Sequence, residues 1–343
     1  MNKGFWAKLK KPIMVMAPMA DVTDCAFRQI IAKYGKPDVL WTEFVSADGL
    51  CSPGREVLKR DLEYGGGERP IVAQLFTSHP EKMREAAKLC RELGFDGIDI
   101  NMGCPDKSIE KQGAGAAHMK NPERAKEVIR AAQEGAKGED GSAIPVSVKT
   151  RIGYNKDEID TWIPALLSCG LPALTVHLRT RKEMSDVPAH WDLMKKVVAL
   201  RDELSPETLV LGNGDAKDMQ DGIEKVRESG ADGVMYGRAI FGNPWLFKNI
   251  HLVKAAGDEP ILNHVPSIKE KLEVMMEHTE LYEKMLGDVK NFAIMKKHYK
   301  AYVNGFDGAK ELRVRLMETS SAREVRGIVE GFLHTLADGP GVS

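Results

Sequence analysis

Short apolar runs recur along the first 240 residues and alternate with charge-rich, amphipathic stretches. Most of these runs are continuous, which is typical of parallel strands that are covered on both faces. Their starts lie 25, 33, 26, 48, 28, 36 and 24 residues apart, a spacing that suits strand and helix units and exceeds that of hairpins. The eight runs begin at Ile13, Asp38, Ile71, Gly97, Pro145, Ala173, Leu209 and Gly233.

Amphipathic helices are predicted between the strands, for example over residues 79–94 and 121–135, which have start signals and a final glycine. The eight units end near Phe247, and a (β/α)8 barrel needs about 250 residues. An open, doubly wound sheet would instead carry a glycine-rich dinucleotide loop after the first strand. Residues 17–19, Ala-Pro-Met, stand there, so the pattern predicts an α/β fold of the (β/α)8 TIM-barrel type.

After Phe247 the β-rich runs stop and the pattern becomes helical. Helical periodicity covers three stretches, residues 267–286, 290–306 and 309–337. The sequence therefore predicts two domains, a barrel over residues 1–250 and a smaller all-helical domain over residues 251–343.

The charges are nearly balanced, with 49 Lys and Arg against 50 Asp and Glu among 343 residues. This balance excludes a strongly basic coat protein or an acidic tail protein, and 43% hydrophobic residues can build a substantial core. One stretch departs from the balance, since residues 289–316 hold seven basic and two acidic side chains. That stretch is either a docking surface for a polyanion or a solvated helix face with extended lysines.

The sequence favours a reduced, cytoplasmic protein. Residues 1–12 are basic but have no apolar segment of the kind found in secretory signals, and the apolar stretch 162–178 is interrupted by two prolines and a glycine. The five cysteines form no CxxC pair, and the nine histidines form no HExxH motif. We therefore expect no membrane span, no disulfide framework and no metal centre, and nothing in the sequence indicates an obligate protein partner.

Polar side chains follow nearly every predicted strand. In such barrels the loops at the carboxyl ends of the strands build the active site. The loops after strands seven and eight combine glycines with Arg238, and this composition at this place favours a phosphate group. The residues that we place at the predicted rim are Pro18, Glu43, Gln74, Asn101, Cys104, Lys149, Arg151, His177, Arg179, Asn213, Gly214, Asp215, Gly237 and Arg238.

Three of these side chains suit a flavin. Lys149 and His177 follow neighbouring strands and could stabilise the N1 and C2 carbonyl edge of a reduced ring, while Gln74 could bind the other polar edge. Taken singly, each of these three residues is more readily explained by a structural role than by a catalytic one, and it is their combination that favours a cofactor. Cys104 lies between Gly103 and a proline in an apical loop, where a thiol can act as nucleophile or general acid. The alternative is that Cys104 is a small buried hydrophobic residue, as we expect for Cys90 and Cys169 in their helical contexts.

Seven motifs occur in order and together resemble the tRNA-dihydrouridine synthases. They are MAPMADVTDCAFR, TEFVSADGL, DGIDINMGCPDKSIEKQGAGAAHMKNP, SVKTRIGY, VHLRT, LGNGD and GVMYGRAIFGNPWLF. The later segment KHYKAYVNGFDGAKELRVRL is similar to the tRNA-binding domain of that family. Leu178 stands where the family usually has a glycine.

The resemblance implies an FMN enzyme that reduces the C5–C6 double bond of selected uridines in tRNA, with NADPH as the electron donor. It implies that C6 receives a hydride and that Cys104 donates a proton to C5. The implied cofactor residues are Pro18, Met19, Gln74, Lys149, His177, Asn213, Asp215, Gly237 and Arg238. The implied substrate residues are Asn101 at the uracil, Arg151 and Arg179 at the uracil or nearby phosphates, and Lys296, Lys297 and Lys300 in the basic segment.

Two other functions are compatible with the same barrel. One is an FMN-dependent reductase of a free pyrimidine or another small enone, which would have no need of the basic helical segment. The other is an RNA-binding protein without flavin chemistry, which would have no need of Cys104, Lys149 and His177. Because no second nucleotide site is evident in the sequence, NADPH is expected to use the same flavin face as tRNA, in ping-pong order.

Overall fold

The computed structural model describes residues 1–250 and 264–337 of the chain. Eight parallel strands in this part form one sheet in the order β1-β8-β7-β6-β5-β4-β3-β2. Their bounds are β1 Ile13–Met16, β2 Leu40–Ser46, β3 Ile71–Phe76, β4 Gly97–Met102, β5 Val146–Arg151, β6 Ala173–His177, β7 Leu209–Asn213 and β8 Gly233–Tyr236. All eight begin within two residues of the predicted starts.

Two hydrogen bonds close the sheet between β1 and the chain just before β2. The Asp38 backbone N–H donates to the Met14 carbonyl at 2.9 Å, and the Met14 N–H donates to the Asp38 carboxylate at 2.8 Å. Trp6, in a short 3-10 helix over Gly4–Lys8, packs with Ile13 and Trp41 inside the barrel. The predicted (β/α)8 fold is confirmed, and Trp6 fills the end where the strands begin, which leaves the carboxyl end for a site.

Helices cover the outside of the barrel. Their bounds are α1 Cys25–Tyr34, α2 Ala47–Leu50, α3 Arg55–Lys59, α4 Pro80–Glu92, α5 Lys107–Lys111, α6 Pro122–Gly135, α7 Ile159–Leu167, α8 Met194–Leu204 and α9 Met219–Ser229. α4 and α6 match the predicted helices, and each has a proline in its first turn, where no N–H partner is needed. The side chain of Asn121 caps α6 by accepting from the Arg124 N–H at 3.1 Å.

Four helices form the helical region, which we define as residues 264–337. They are α10 Ile268–Leu286, α11 Met295–Tyr302, α12 Ala309–Met317 and α13 Ala322–Ala337. The predicted helical stretch 309–337 thus consists of two helices, since α12 ends at Met317 and α13 begins at Ala322. Residues 251–263, which follow the predicted domain boundary, lie outside the described part of the chain.

The helical region shares a core with the first helix of the barrel. Cys25 and Ile30 of α1 pack in one apolar cluster with Met275, Tyr299 and Leu312 of the helical region. α1 directly follows the loop after β1, so the helical region rests on the element that borders the carboxyl end of that strand. Along residues 1–250 and 264–337, no helix has both the length and the apolar character required to cross a membrane.

Candidate active site

A cavity of about 240 Å³ opens at the carboxyl ends of β1 and β5 to β8. Its lining includes eight of the nine residues predicted to hold the cofactor, which are Pro18, Met19, Lys149, His177, Asn213, Asp215, Gly237 and Arg238. Arg179 and Ser185 also line it. Gln74 does not belong to the lining. Residues of β5 and of the loops after β1, β6, β7 and β8 therefore meet at one concave surface.

Two glycines shape the wall of this cavity. Gly214 has a φ of +122°, and a Cβ there would lie 2.7 Å from the Ala189 Cβ and 3.2 Å from the His177 Cδ2. A larger residue at this position would therefore be strained, would collide with Ala189 and would crowd His177. A Cβ at Gly237 would meet only the Met19 sulfur, at 3.9 Å. The backbone at Gly237 is accordingly open to a ligand that approaches the start of the next helical turn.

Asp215 joins two arginines on one side of the cavity. Its carboxylate accepts from the Nη2 atoms of Arg179 and Arg238, each at 2.5 Å. Burial alone would raise the pKa of Asp215, but the hydrogen bond from Arg179 and the charges of both arginines lower it below its usual range. The Arg238 side chain is 69% exposed and the Arg179 side chain only 3%, so Arg238 is the arginine with donors free to reach a ligand.

His177 and Lys149 give the cavity one neutral and one charged group. Burial, followed by the charges of Arg151 and Lys149, lowers the pKa of His177 well below its usual range. Its Nε2 lies 3.0 Å from the Arg179 Nη1, which can only donate, so the proton of the neutral ring belongs on Nδ1. Burial and the charge of Arg151 lower the pKa of Lys149 to about 8.

Lys149 is the cation without a fixed partner in this cavity. Within residues 1–250 and 264–337, no hydrogen bond or ion pair to its Nζ is formed, although burial restricts its access to water. A partly buried ammonium that lines a cavity without a partner suits a ligand with an acceptor or a negative charge. This is the feature of the cavity that points most directly to an anionic ring edge.

Gln74 lies in a buried chain of hydrogen bonds beside the cavity. Its Nε2 donates to the Asp99 Oδ2 at 2.7 Å, and its Oε1 accepts from the Asn101 Nδ2 at 3.1 Å. The Ser147 hydroxyl donates to the other oxygen of Asp99 at 2.6 Å. Burial raises the pKa of Asp99 to about 6. Sequence reasoning did not identify Asp99, although an acid between Ile98 and Ile100 in a buried strand was a usable signal.

Asn101 continues that chain into the Cys104 loop. Its Oδ1 accepts from the backbone N–H of Gly103 at 3.1 Å and of Cys104 at 2.9 Å. The Cys104 carbonyl accepts from the Ala116 N–H at 2.9 Å. Gly115 has a φ of +59°, and a Cβ there would lie 2.7 Å from the Cys104 oxygen. The loop is thus held on both sides, by an amide side chain and by a close backbone approach.

The Cys104 side chain is half-buried against an apolar cluster that contains Phe76, Ile109 and Ala114. Burial raises the pKa of this thiol above its usual range. At neutral pH the thiol therefore keeps its proton, which suits a general acid better than a nucleophile that must ionise.

Arg151 connects the Cys104 loop to the loop after β6. Its Nε donates to the Gly103 carbonyl at 2.8 Å, and its Nη1 donates to the carbonyls of Thr180 at 3.1 Å and Met184 at 2.9 Å. Burial lowers its pKa only to about 10, so the guanidinium stays charged at neutral pH. Leu178, at the start of the loop after β6, is fully buried and donates its N–H to the Asn213 carbonyl at 3.0 Å.

The basic segment separates into two parts. Six of its seven cations have no ion pair with any described residue, namely Lys296, Lys297, Lys300, Lys310, Arg313 and Arg315. The seventh, Lys290, is different because it pairs with Glu43 at 2.7 Å and with Asp61 at 2.9 Å. Of the seven basic residues counted in residues 289–316, six therefore remain available to an anionic partner. Within residues 1–250 and 264–337, no group of three or more His, Cys, Asp or Glu side chains is placed to hold a metal ion.

Comparison with known proteins identifies relatives along nearly the whole chain. The family model "Dihydrouridine synthase (Dus)" matches residues 15–336. A Staphylococcus epidermidis protein named "Probable tRNA-dihydrouridine synthase" is 39% identical over 335 residues, which are 97% of each chain. A Bacillus subtilis protein named "Probable tRNA-dihydrouridine synthase 2" is 39% identical over 342 residues, which are 99% of each chain.

Solved structures confirm the fold. A Pseudomonas geniculata N1 6-hydroxypseudooxynicotine amine oxidase superposes with a TM-score of 0.55 at 12% identity, over 97% of this chain and 66% of that one. A morphinone reductase variant superposes with a TM-score of 0.50 at 15% identity, over 79% of this chain and 92% of that one. The motifs predicted the family correctly, and the match over residues 15–336 shows that this chain belongs to the dihydrouridine synthases, a family of oxidoreductases.

Proposed function

We propose that this chain is a cytoplasmic, FMN- and NADPH-dependent enzyme that reduces the C5–C6 double bond of uridines in tRNA to 5,6-dihydrouridine. The names of the relatives from Staphylococcus epidermidis and Bacillus subtilis support tRNA as the substrate. The observation that carries the chemistry is the cavity lined by eight candidate cofactor residues and by the unpartnered Lys149, with the protonated Cys104 thiol on an adjacent loop.

The residues of the cavity suit FMN. Lys149 and the neutral His177 would hold the N1 and C2 carbonyl edge, where the charge of a reduced ring collects. Arg238, with the open backbone at Gly237, would hold the phosphate. Pro18 and Met19 would line the ring. When bound and reduced by NADPH, FMN supplies the hydride that C6 of the uracil accepts.

Cys104 would then complete the reduction. Electron density that enters at C6 moves toward O4, and a proton must reach C5 for the saturated product to form. The raised pKa of the thiol keeps that proton on Cys104 at neutral pH. The resulting thiolate would regain a proton from solvent before the next turnover. The half-buried position of the thiol leaves it accessible to a base that enters the mouth of the barrel.

Two further side chains would stabilise the charge at O4 and orient the base. The Nη2 of Arg151 donates to no described residue, so its N–H groups remain free while Nε and Nη1 hold the two loops. The amide nitrogen of Asn101 carries two hydrogens and gives one to Gln74, which leaves the other for the uracil. The resemblance implies a substrate role for Arg179, but we infer that it acts on the cofactor side of the site, since it lines the cavity and pairs with Asp215.

The helical region would bind the RNA backbone. Lys297 and Lys300 of α11 are exposed and, within the described residues, have no acidic partner. With the partly buried Lys296 they form a cationic helix face that suits phosphates. The target uridine must leave its stack to reach the cavity, which is easiest in a loop of folded RNA. Phosphate contacts at α11 would supply affinity for this step and make binding salt-dependent.

A product analysis tests this function. The purified protein is incubated with FMN, NADPH and an unmodified tRNA transcript, and the digested nucleosides are separated by mass spectrometry. We expect dihydrouridine in tRNA and none from free uridine under the same conditions. Dihydrouridine from the free nucleoside alone would support a small-molecule reductase, and no product from either substrate would contradict the proposed reaction.

A further inference from the structure

We propose that Lys290, which the sequence groups with the RNA-binding cations, is instead a positioning residue for the cofactor. Through Glu43 it fixes the turn after β1 that borders the cavity, so FMN affinity depends on a lysine of the helical region. This inference rests on the proposed FMN site. It concerns cofactor affinity and makes no claim about tRNA.

A bulge in β2 points Glu43 toward that turn. Trp41 pairs with Val72 and Phe44 with Gln74, so β2 contains one residue more than β3 between these pairs. The Thr42 hydroxyl donates to the Glu43 carbonyl at 2.8 Å within the bulge. Such an extra residue bends the strand and redirects a side chain. Glu43 is only 5% exposed, so its charge needs a partner inside the protein.

The two oxygens of Glu43 have two different partners. Oε1 accepts from the Asp21 backbone N–H at 2.5 Å, and Oε2 accepts from the Lys290 Nζ at 2.7 Å. Asp21 has a φ of +53°, which an ordinary side chain adopts only when its surroundings hold it there. The bond to Glu43 supplies one such restraint on the backbone of Asp21.

Asp21 belongs to the turn that begins at Met19, a residue of the cavity wall. The Met19 carbonyl accepts from the N–H groups of Val22 at 3.2 Å and Thr23 at 3.0 Å. The Thr23 hydroxyl in turn accepts from the Met19 N–H at 2.9 Å. Glu43 therefore holds the middle of a short turn whose first residue lines the cavity.

The helical region keeps Lys290 in place. The segment just before Lys290 is anchored to the barrel by Arg60, whose Nη2 donates to the Met285 carbonyl at 2.7 Å and to the Asp288 carboxylate at 3.2 Å. Burial would lower the pKa of Lys290, but Glu43 and Asp61 raise it above its usual range. Its charge is therefore permanent at physiological pH, and it balances acids that would otherwise repel one another.

The surroundings of Glu43 are otherwise acidic. Burial and the charge of Glu43 raise the pKa of Asp24 to about 7. The nearby Arg28 has its own buried partner, since its Nε donates to Glu68 at 2.6 Å. Removal of the Lys290 charge would leave the Glu43 carboxylate buried beside other acids, and its side chain would turn away from the Asp21 N–H. The restraint on Asp21, and with it the wall at Met19, would then weaken.

The test measures FMN dissociation constants by fluorescence titration of flavin-free protein. We expect Lys290→Met to weaken FMN binding by about tenfold or more, because loss of one partner exposes the full penalty of the other charge. Adding Glu43→Gln to that variant is expected to restore affinity to within about threefold, since the amide oxygen can still accept from Asp21 without a buried charge. Lys284→Met, a change of an exposed lysine in α10, is the matched control and should bind FMN as wild type.

Wild-type affinity in folded Lys290→Met would overturn the inference, and so would failure of Glu43→Gln to restore binding, which would indicate a packing role for the lysine stem. If Lys290→Met does not fold, Glu43→Ala serves in its place. It removes the acceptor of Asp21 while Lys290 keeps Asp61 as its partner, so it should weaken FMN binding, and an unchanged affinity would overturn the inference. Absence of FMN binding by the wild type would contradict the proposed function itself, so the two failures are distinguishable.

Discussion

Two ionisable side chains at the mouth of the barrel have pKa values that burial moves in opposite directions. The Cys104 thiol is made harder to ionise, while the Lys149 ammonium is made easier to neutralise and has a pKa of about 8. At neutral pH both groups still hold a proton. We therefore assign proton donation to Cys104 and charge stabilisation to Lys149, and each role has its own test.

Replacement of Cys104 separates cofactor chemistry from substrate reduction. Cys104→Ala should bind FMN and accept electrons from NADPH as wild type does, and its turnover on tRNA should fall by about 10²–10⁴-fold, the usual contribution of a general acid. Stopped-flow absorbance of the flavin measures both half-reactions. Cys169→Ala, at a partly exposed cysteine that follows α7, is the matched control. Full turnover in Cys104→Ala would remove the thiol from the mechanism.

The pKa of Lys149 predicts a pH dependence of cofactor binding. Below about pH 8 the ammonium is charged and attracts an anionic ligand, and above this pH the attraction is lost. FMN affinity should therefore fall as pH rises through 8, by up to about tenfold per pH unit. Lys149→Arg keeps its charge over this range and should lack that fall. Titrations from about pH 6 to about pH 10 measure it, and identical profiles for both proteins would contradict the role of Lys149.

Which residues could be found from the sequence depends on how local their signal is. Cys104 was identifiable because it follows a recognisable strand, and Lys149 because it is a charged residue within one. The pairing of Lys290 with Glu43 was not identifiable, because 247 residues separate the two and no local sequence pattern at either residue indicates its partner. The same limit applies to Gln74, whose amide is engaged by Asp99 and Asn101 in a way that only the packed barrel fixes.

Among the secondary-structure elements, the strands were predicted well because their apolar runs are short, continuous and bounded by polar residues or glycines, a pattern typical of buried parallel strands. The break between α12 and α13 was missed, although Thr319 and Ser320 occur there and both side chains compete for backbone hydrogen bonds. The bulge at Thr42 and Glu43 could not be predicted, because it is defined by how the residues of β2 pair with those of β3 and not by the sequence of β2 alone.

Helix α11 is the element expected to carry RNA affinity. Lys297→Glu combined with Lys300→Glu should weaken tRNA binding and reduce the slope of log K against log salt by about 0.7–0.9 for each lost phosphate contact. FMN binding should be unchanged, because neither lysine reaches the barrel cavity. Filter-binding titrations at several salt concentrations measure both the affinity and the slope.

The matched control places the same charge changes at the opposite end of the barrel. Lys10→Glu with Lys137→Glu alters exposed lysines near the end that Trp6 fills. This variant should keep wild-type affinity and salt slope for tRNA. An equal loss of tRNA affinity in both variants would show that only overall charge matters. Unchanged tRNA binding in the α11 variant would show that this helix face is solvated and does not contact RNA.

For the whole molecule, the helical region and the cavity are joined at the rim of the barrel. Lys290 contacts Glu43 there, and α11 begins only five residues later at Met295. RNA held on α11 would therefore be bound by an element whose start is fixed relative to the cavity. Chain order and a shared core with α1 make this arrangement possible, but no single motif in the sequence encodes it.

We propose that reduced flavin in this barrel gives its electrons to a uridine in RNA. An anaerobic experiment tests this most directly. The bound flavin is reduced with NADPH and then mixed either with unmodified tRNA or with free uridine, while flavin absorbance is followed. We expect rapid reoxidation by tRNA and none by uridine. Reoxidation by uridine alone would contradict an RNA-directed enzyme, and a protein that holds no flavin would contradict the assignment of the cavity.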